Sequence, residues 1–309
     1  MKTEAVIRAL EELNMENIRL ASTEEMRLGG ELVRLREKLS AGIIWYPLAR
    51  FKRQRALRRI PGEKHPFNWD EHTWKTLLRE GDPNKKVAVY TCITGQYDGA
   101  QRPLYYTDHC DYILFTDQPA SEDAKGWAVK PIPEEILHLG DNVMINRYLK
   151  MHPAELFRDS YDFAIYIDGN IKPVTDLSVL CELINPSVGL ATHRHCHWVS
   201  IYDEITACRM MEKGDGEKLE EQEKRYREAG FPEGFGMAEC NVIITDLKSE
   251  KAEGLLSGWW EEFRDSASGR DQTSLPYVVW KMGHKMNEIT TLGENASLNP
   301  KIRVGGHKR

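Results

Sequence analysis

No two cysteines in this sequence stand in CxxC spacing. The six that occur, Cys92, Cys110, Cys181, Cys196, Cys208 and Cys240, are scattered along the chain. That argues against a zinc cluster built on paired thiolates and favours reduced thiols in a cytoplasmic protein. No apolar run approaches the roughly 20 residues that span a bilayer. The start, Met1-Lys2-Thr3-Glu4, lacks the apolar core of a signal peptide. Positive charge is not in excess: the formal net charge is -6, which speaks against a nucleic-acid binder. No GxGxxG opens a strand-to-helix turn, so dinucleotide redox chemistry has little support.

What the chain does have is size. Its 309 residues, 41% of them hydrophobic, suffice for one large α/β domain and an appendage. The appendage is read as residues 1–84. Within 1–40, Val6, Leu10, Leu13, Asn17 and Leu20, then Leu28, Leu32, Leu35 and Leu39, fall at spacings of four and three. This is a coiled-coil-like seam, suited to self-association or to a helix lying on its own domain. Residues 42–60 set Trp45, Tyr46 and Phe51 among Lys52, Arg53, Arg55, Arg58 and Arg59. Aromatics beside dense positive charge suit a peripheral segment on an anionic membrane; a solvated basic linker is the alternative. A short helix over Trp69–Leu78 and a turn at Gly81-Asp82-Pro83-Asn84 lead to a domain boundary near Lys85.

The domain 85–309 reads as alternating strands and helices. Val87–Ile93 is a buried strand closed by Thr94-Gly95-Gln96-Tyr97-Asp98, a nucleotide-binding position in an open α/β sheet. Asp111–Asp117 is a second strand, ending in an acid placed to meet ribose hydroxyls or to cap a turn. Trp127–Ile132 is a short third strand. Asp141–Lys150 is a helix with Arg147 and Lys150 on one face, fit for a diphosphate or for solvent.

Phe163-Ala164-Ile165-Tyr166-Ile167 has no polar alternation and so is buried on both faces. It runs into Asp168-Gly169-Asn170, which puts two oxygen-bearing side chains at the carboxyl edge of the sheet. That pair suits a hard cation or an ordinary Asp-Gly turn. Val188–His193 is a further strand, leaving into a loop with His193, His195 and His197 that would cover a ligand. Tyr202–Glu228 reads as one long, charged, solvated helix. Ala238–Asp246 returns to the sheet with Glu239, and Trp259–Phe263 is an aromatic helix packed on it. Asp271 and Gln272 open a later helix, paired donors and acceptors of the kind hydroxyl-rich ligands need. The tail Val304–Arg309 brings His307 and Lys308, either to fold over a metal–diphosphate pair or to fray.

Taken in order, Tyr90–Asp98, Phe115-Thr116-Asp117, Lys150–Pro153, Tyr166–Ile171, Ser200–Glu204, Trp259-Trp260 and Arg270-Asp271-Gln272 resemble the turgor-regulation-defect and mucilage-related glycosyltransferase-like family of plants and bacteria. The resemblance runs from about Lys85 to the C-terminus. It implies a GT-A fold: a mixed, mostly parallel central sheet flanked by helices, with a nucleotide-binding half and an acceptor-binding half. It implies a nucleotide-sugar donor, a UDP-sugar first of all, and a divalent metal such as Mn2+ or Mg2+. Plant relatives are associated with galacturonic acid transfer to pectin, and one has been described as a ceramidase. By the motif match, Asp168 and Asn170 are metal or diphosphate residues; Thr91, Tyr97 and Asp117 are nucleotide contacts; Arg147 and Lys150 belong to the basic helix. Asp271 and Gln272 contact donor sugar or acceptor, and His307 is the candidate for a C-terminal metal ligand.

The function expected is therefore metal-dependent glycosyl transfer to a glycan or glycolipid, as in bacterial surface polysaccharide synthesis. The resemblance favours retention; inversion would need a carboxylate base, with Glu239 or Asp271 as candidates. Two rivals stand beside it. One is an amide hydrolase acting on a lipid, with His193, His195 and His197 holding a metal-bound water. The other is a non-catalytic scaffold recruited to the membrane.

Overall fold

The computed structural model describes residues 71–305, apart from 96, 120–123, 196–199 and 294, together with residue 47. The coiled-coil-like seam 1–40, the basic segment 42–60, His197, His307 and Lys308 lie outside the described residues.

The chain enters through α1 (Glu71–Leu77) and then β1 (Val87–Ile93), β2 (Cys110–Thr116) and β3 (Ala128–Pro131). Helices α2 (Glu134–Leu137), α3 (Asn142–Met151) and α4 (Pro153–Phe157) lead to β4 (Phe163–Ile167) and a short β5 (Ile171–Pro173). After a 3-10 turn at Ser178–Leu183 come β6 (Leu190–Arg194), α5 (Ile201–Met210), α6 (Gly216–Glu228), β7 (Ala238–Asp246) and α7 (Glu250–Ser266). The chain closes with α8 (Leu275–Lys281), α9 (Met286–Ile289) and β8 (Ile302–Val304).

Six strands form one sheet in the order β3-β2-β1-β4-β7-β6. Neighbours from β3 to β4 run parallel, and β7 is antiparallel to both β4 and β6. The mixed, mostly parallel sheet flanked by helices that the resemblance implies is the one observed. A second, two-stranded sheet pairs β5 with β8 in antiparallel register.

The lack of polar alternation in β1 and β4 has a direct cause. Ala88, Tyr90, Ala164 and Tyr166 face a core shared with α3, α4 and α7, while Val87, Val89, Ile165 and Ile167 face a second core under the 3-10 turn. Leu77 of α1 is buried in that second core, and Gly81 N donates to Asp176 at 2.8 Å. The helix expected over Trp69–Leu78 is thus present as α1 and packs directly on the sheet.

The stretch expected as a single helix to Glu228 is two helices. Glu212 and Gly214 take φ of 55° and 81°, which no α-helix accommodates. Asp215 then caps α6, accepting from Glu217 N and Lys218 N. No helix among the described residues is long and apolar enough to cross a membrane.

Candidate functional site

Strands β2 and β3 lie on one side of β1, and β4 lies on the other. The chain therefore reverses its direction of sheet growth between β1 and β4. In open α/β sheets the crevice at the carboxyl ends of such strands receives ligands. Here it is a cleft of about 680 Å3. From β1 it takes Thr94, Gly95, Tyr97 and Asp98; from β4 it takes Tyr166, Asp168 and Gly169. Helix α3 supplies Asn142, Asn146 and Arg147, and the opposite wall is Lys213, Gly214, Gly269 and Arg270.

Local chemistry explains how these parts meet. Asp141 caps α3, its carboxylate accepting from Val143 N at 2.7 Å and Met144 N at 3.0 Å, so the helix begins beside the β1 loop. Asn146 ties three elements together. Its Nδ2 donates to Cys92 O at 2.8 Å, and its Oδ1 accepts from Tyr166 Oη at 3.3 Å and from Arg147. Gly95, at φ 60°, donates its N–H to Asp117 Oδ2 at 3.0 Å. A side chain at Gly169 would meet the Ile93 side chain at 2.9 Å, so the close approach of the two strand ends there favours glycine.

Beneath the cleft floor lies a buried charged knot. Asp271 Oδ2 is 2.6 Å from Lys150 Nζ and 3.1 Å from Arg147 Nε. Burial works to raise the Asp271 carboxyl, but Arg147, Lys150 and Arg270 outweigh it and hold it well below the usual carboxylate range. Burial works the other way on Arg147, and Asp271 raises it above its ordinary value. The Lys150 ammonium also lies 5.1 Å from the Tyr166 ring centre and 5.5 Å from that of Trp259. The Trp259 indole donates to Asp271 O at 2.9 Å.

The residues singled out from the sequence divide into three groups. Tyr97, Arg147 and Asp168 line the cleft. Lys150 and Asp271 lie below it as an ion pair. The others are held elsewhere. Thr91 is buried within β1, and its hydroxyl has no hydrogen-bond partner. Asp117 braces Gly95 from behind. Gln272 Nε2 donates to Ala238 O at 3.0 Å, and Glu239 accepts from Ala296 N at 3.0 Å. His193 is fully buried; its Nε2 accepts from the Asn299 amide at 2.9 Å, and burial pushes it down to about 3. His193 is thus enclosed and does not line the cleft. Asn170 Nδ2 donates to Gly305 O at 2.9 Å, and Gly305 N donates to Asn170 O at 2.8 Å. That two-way clamp extends the β5–β8 pairing and brings the start of the C-terminal tail to the Asp168 loop.

Sequence reasoning did not single out Asp98, Asn142, Asn146, Lys213 or Arg270 individually. Asp98 and Arg270 stand inside quoted motifs, where their signal was available; Lys213 had none, because the helix break that exposes it was not anticipated. As a setting for a hard divalent cation the cleft fits: the carboxylates of Asp98 and Asp168 both line it, and oxygen is the ligand such ions prefer. Among the described residues a different triad, His109, Cys110 and Asp176, brings metal-capable atoms within 4.8 Å of one another. It sits at the opposite edge of the sheet, where Cys110 opens β2. There Asp176 accepts from Gly81 N, Ser178 N and Ser178 Oγ, so it serves first as a hydrogen-bonded corner.

With that geometry in view, the comparisons with known proteins decide the family. The model of the family described as "TOD1/MUCI70, glycosyltransferase-like domain" matches residues 140–299, more than half of the chain. The protein belongs to this family. The matched span runs from the start of α3 through the Asp168 loop and the charged knot. It leaves β1 and β2 outside. No curated protein matches the sequence. Among solved structures, the chain is similar to the apo structure of the WbbM bifunctional glycosyltransferase, with TM-score 0.41 and 12% identity, over 68% of this chain and 39% of that one. It is also similar to the apo form of mouse xyloside xylosyltransferase 1, with TM-score 0.43 and 11% identity, over 72% of this chain and 97% of that one. The chain thus spans well under half of the WbbM protein. Family membership gives the protein a glycosyltransferase-like domain; the knot lies within the matched span, and the cleft adds to it the end of β1 and the loop that follows.

Proposed function

We propose that the protein transfers a sugar from a nucleotide diphospho-sugar, most simply a UDP-sugar, to a carbohydrate hydroxyl on a glycan or glycolipid. The observation that carries this reading is the convergence of Asp168, Asp98 and Arg147 in one cleft at the reversal point of the sheet. The nucleoside end fits the Thr94–Asp98 loop, with Tyr97 half-exposed beside it and Asp117 holding Gly95 in place. The diphosphate fits between Asp168 and Arg147. A divalent cation such as Mn2+ or Mg2+, held by Asp168, would offset charge on the leaving diphosphate. Arg147 offers the same stabilisation from the protein, and its partial neutralisation by Asp271 fixes its position. Asn170 reaches that region chiefly by clamping Gly305, from which His307 and Lys308 continue.

Retention is the stereochemistry proposed, with Asp98 and Asp168, the carboxylates that line the cleft, assigned to the metal and not to a base. Neither Glu239 nor Asp271, the two carboxylates considered as base, lines the cleft. Asp271 is in addition held far below the range in which a carboxylate takes up a proton near neutrality. A surface polysaccharide or glycolipid acceptor, self-association through 1–40 and membrane contact through 42–60 complete the reading.

The test is a thermal-shift panel of nucleotide sugars with and without Mn2+, followed by product analysis on the best binder. Metal-dependent stabilisation by one nucleotide sugar, lost in Asp168→Ala, supports transfer. Stabilisation by none of them removes the reading.

A further inference from the structure

One carboxylate in the buried knot answers to three cations. Arg147, Lys150 and Arg270 all act on Asp271, but only Arg147 and Lys150 lie within 3.1 Å of it. Arg270 has no comparable partner. Its nearest acid is Glu204, at 3.8 Å, beyond hydrogen-bond reach. Its Nε is buried and has no hydrogen-bond acceptor. A buried donor left without an acceptor costs about 1–3 kcal/mol. Arg147 and Arg270 also repel one another, and both line the cleft. Arg270 therefore lines the cleft with one buried donor unfilled and no carboxylate within hydrogen-bond reach.

The wall that carries Arg270 is built for close approach. Gly214 and Gly269 both take positive φ, 81° and 73°. Asp215 N donates to Ser268 O at 3.0 Å and draws the two loops together. A Cβ on Gly214 would stand 2.4 Å from Ser268 O and 2.8 Å from Arg270 Cγ, so bare backbone presses on the arginine stem. Lys213, exposed on the same wall, adds a second positive charge to the cleft. Glu204 lies behind Arg270, accepts from the Cys208 thiol at 3.3 Å, and offsets the guanidinium only in part. It also joins two stretches the sequence singled out separately, Ser200–Glu204 and Arg270–Gln272.

We propose that Arg270, with Lys213 beside it, is the binding point for an oxyanion carried by the ligand, on the wall made by residues 213–214 and 269–270. The chemistry is shared by two sources: the diphosphate of the donor, and a carboxylate on an acidic carbohydrate. The transferase reading enters only in naming these sources. Binding itself needs no turnover and no metal.

Calorimetry in buffer containing EDTA tests the site, with inorganic pyrophosphate and a free hexuronate as separate probes. At least one binds the wild-type protein. Arg270→Gln weakens that probe about tenfold or more, as expected for loss of a charge-assisted fork. Lys213→Gln, at an exposed position that folding does not depend on, weakens it less. Glu204→Gln holds or tightens it, because the offsetting carboxylate is gone. Loss confined to pyrophosphate names the diphosphate; loss confined to hexuronate names the acidic sugar. The melting temperature of each ligand-free variant separates lost folding from lost binding. If the wild type binds neither probe, or Arg270→Gln and Lys213→Gln both bind as tightly as the wild type, the site falls. Anion binding without any sugar transfer would keep the site and remove the transferase reading; transfer unaffected by Arg270→Gln would do the reverse.

Discussion

The Lys150 ammonium lies 2.6 Å from the Asp271 carboxylate across 121 residues of chain, and both side chains are buried. This pair joins α3, which forms one side of the cleft, to the segment that carries Arg270 on the other. Arg147 shares the same carboxylate oxygen. Charge pairing under the floor therefore ties the two cleft walls together.

Removing Asp271 leaves Lys150 and Arg147 without their carboxylate, whereas removing Lys150 leaves Asp271 paired with Arg147. Asp271→Asn is expected to cost about 3–5 kcal/mol in denaturant unfolding, and Lys150→Met less, because Arg147 still pairs with Asp271. The double substitution Lys150→Met with Asp271→Asn should cost less than the sum of the two, because only Arg147 is then left without its carboxylate. Additive losses would mean the ion pair is not the coupling between the walls.

Asp168→Asn keeps shape and removes charge at the mouth of the cleft. Asp168 is only partly buried, so folding should be nearly unaffected, within about 0.5 kcal/mol. Titration with Mn2+ in the presence of the nucleotide sugar should show affinity reduced by about 100-fold, with turnover falling alongside it. Unchanged metal affinity would move the ligand role to Asp98.

The strands were legible because burial on both faces leaves an unmistakable trace: Val87–Ile93 and Phe163–Ile167 carry almost nothing polar. The reversal point followed, since both strands end in loops rich in oxygen and glycine. The fate of individual cations was not legible. Arg147 and Lys150 share a helical face by spacing, yet one lines the cleft and the other is buried, because Asp271 comes from a distant segment. Nor was the break at Glu212–Gly214 legible in a solvated helix without apolar periodicity. Gly214-Asp215-Gly216, a cap flanked by glycines, was the available sign.

That break makes a paired prediction. Gly214 has φ of 81°, and a Cβ there would stand 2.4 Å from Ser268 O. Gly214→Ala should destabilise by about 1–3 kcal/mol and disturb anion binding at Arg270. Gly216 opens α6 with nothing within 4 Å of a built Cβ. Gly216→Ala should be neutral, or stabilising by up to about 1 kcal/mol, because alanine loses less freedom on entering a helix. Thermal melts of the two variants, run side by side, check both signs.

His193 makes stability depend on pH. Burial pushes it from 6.5 down to about 3, so the folded protein holds a neutral ring where the unfolded chain would bind a proton. The contribution is whole above pH 6.5 and is lost as pH falls toward about 3. Between pH 6.5 and 4.5, unfolding free energy should drop by up to about 1.4 kcal/mol per pH unit from this group. His193→Gln should flatten that slope when urea midpoints are compared across the range. An equal slope in the variant would assign the pH dependence to other groups.

Asn170→Asp separates two roles that the wild-type amide combines. A metal ligand would gain from the added charge. The observed bond requires a donor instead: Asn170 Nδ2 gives its hydrogen to Gly305 O. A carboxylate there offers no hydrogen and faces a carbonyl oxygen, a loss of about 1–3 kcal/mol at a buried position. The pairing of β5 with β8 continues into this clamp, and Arg303 of β8 is exposed. Limited trypsin digestion should therefore cut at Arg303 faster in Asn170→Asp than in the wild type. Donor turnover should fall even when Mn2+ is saturating, since the tail that follows Gly305 is no longer tethered beside Asp168. Unchanged cleavage together with tighter Mn2+ binding would return Asn170 to the role of ligand.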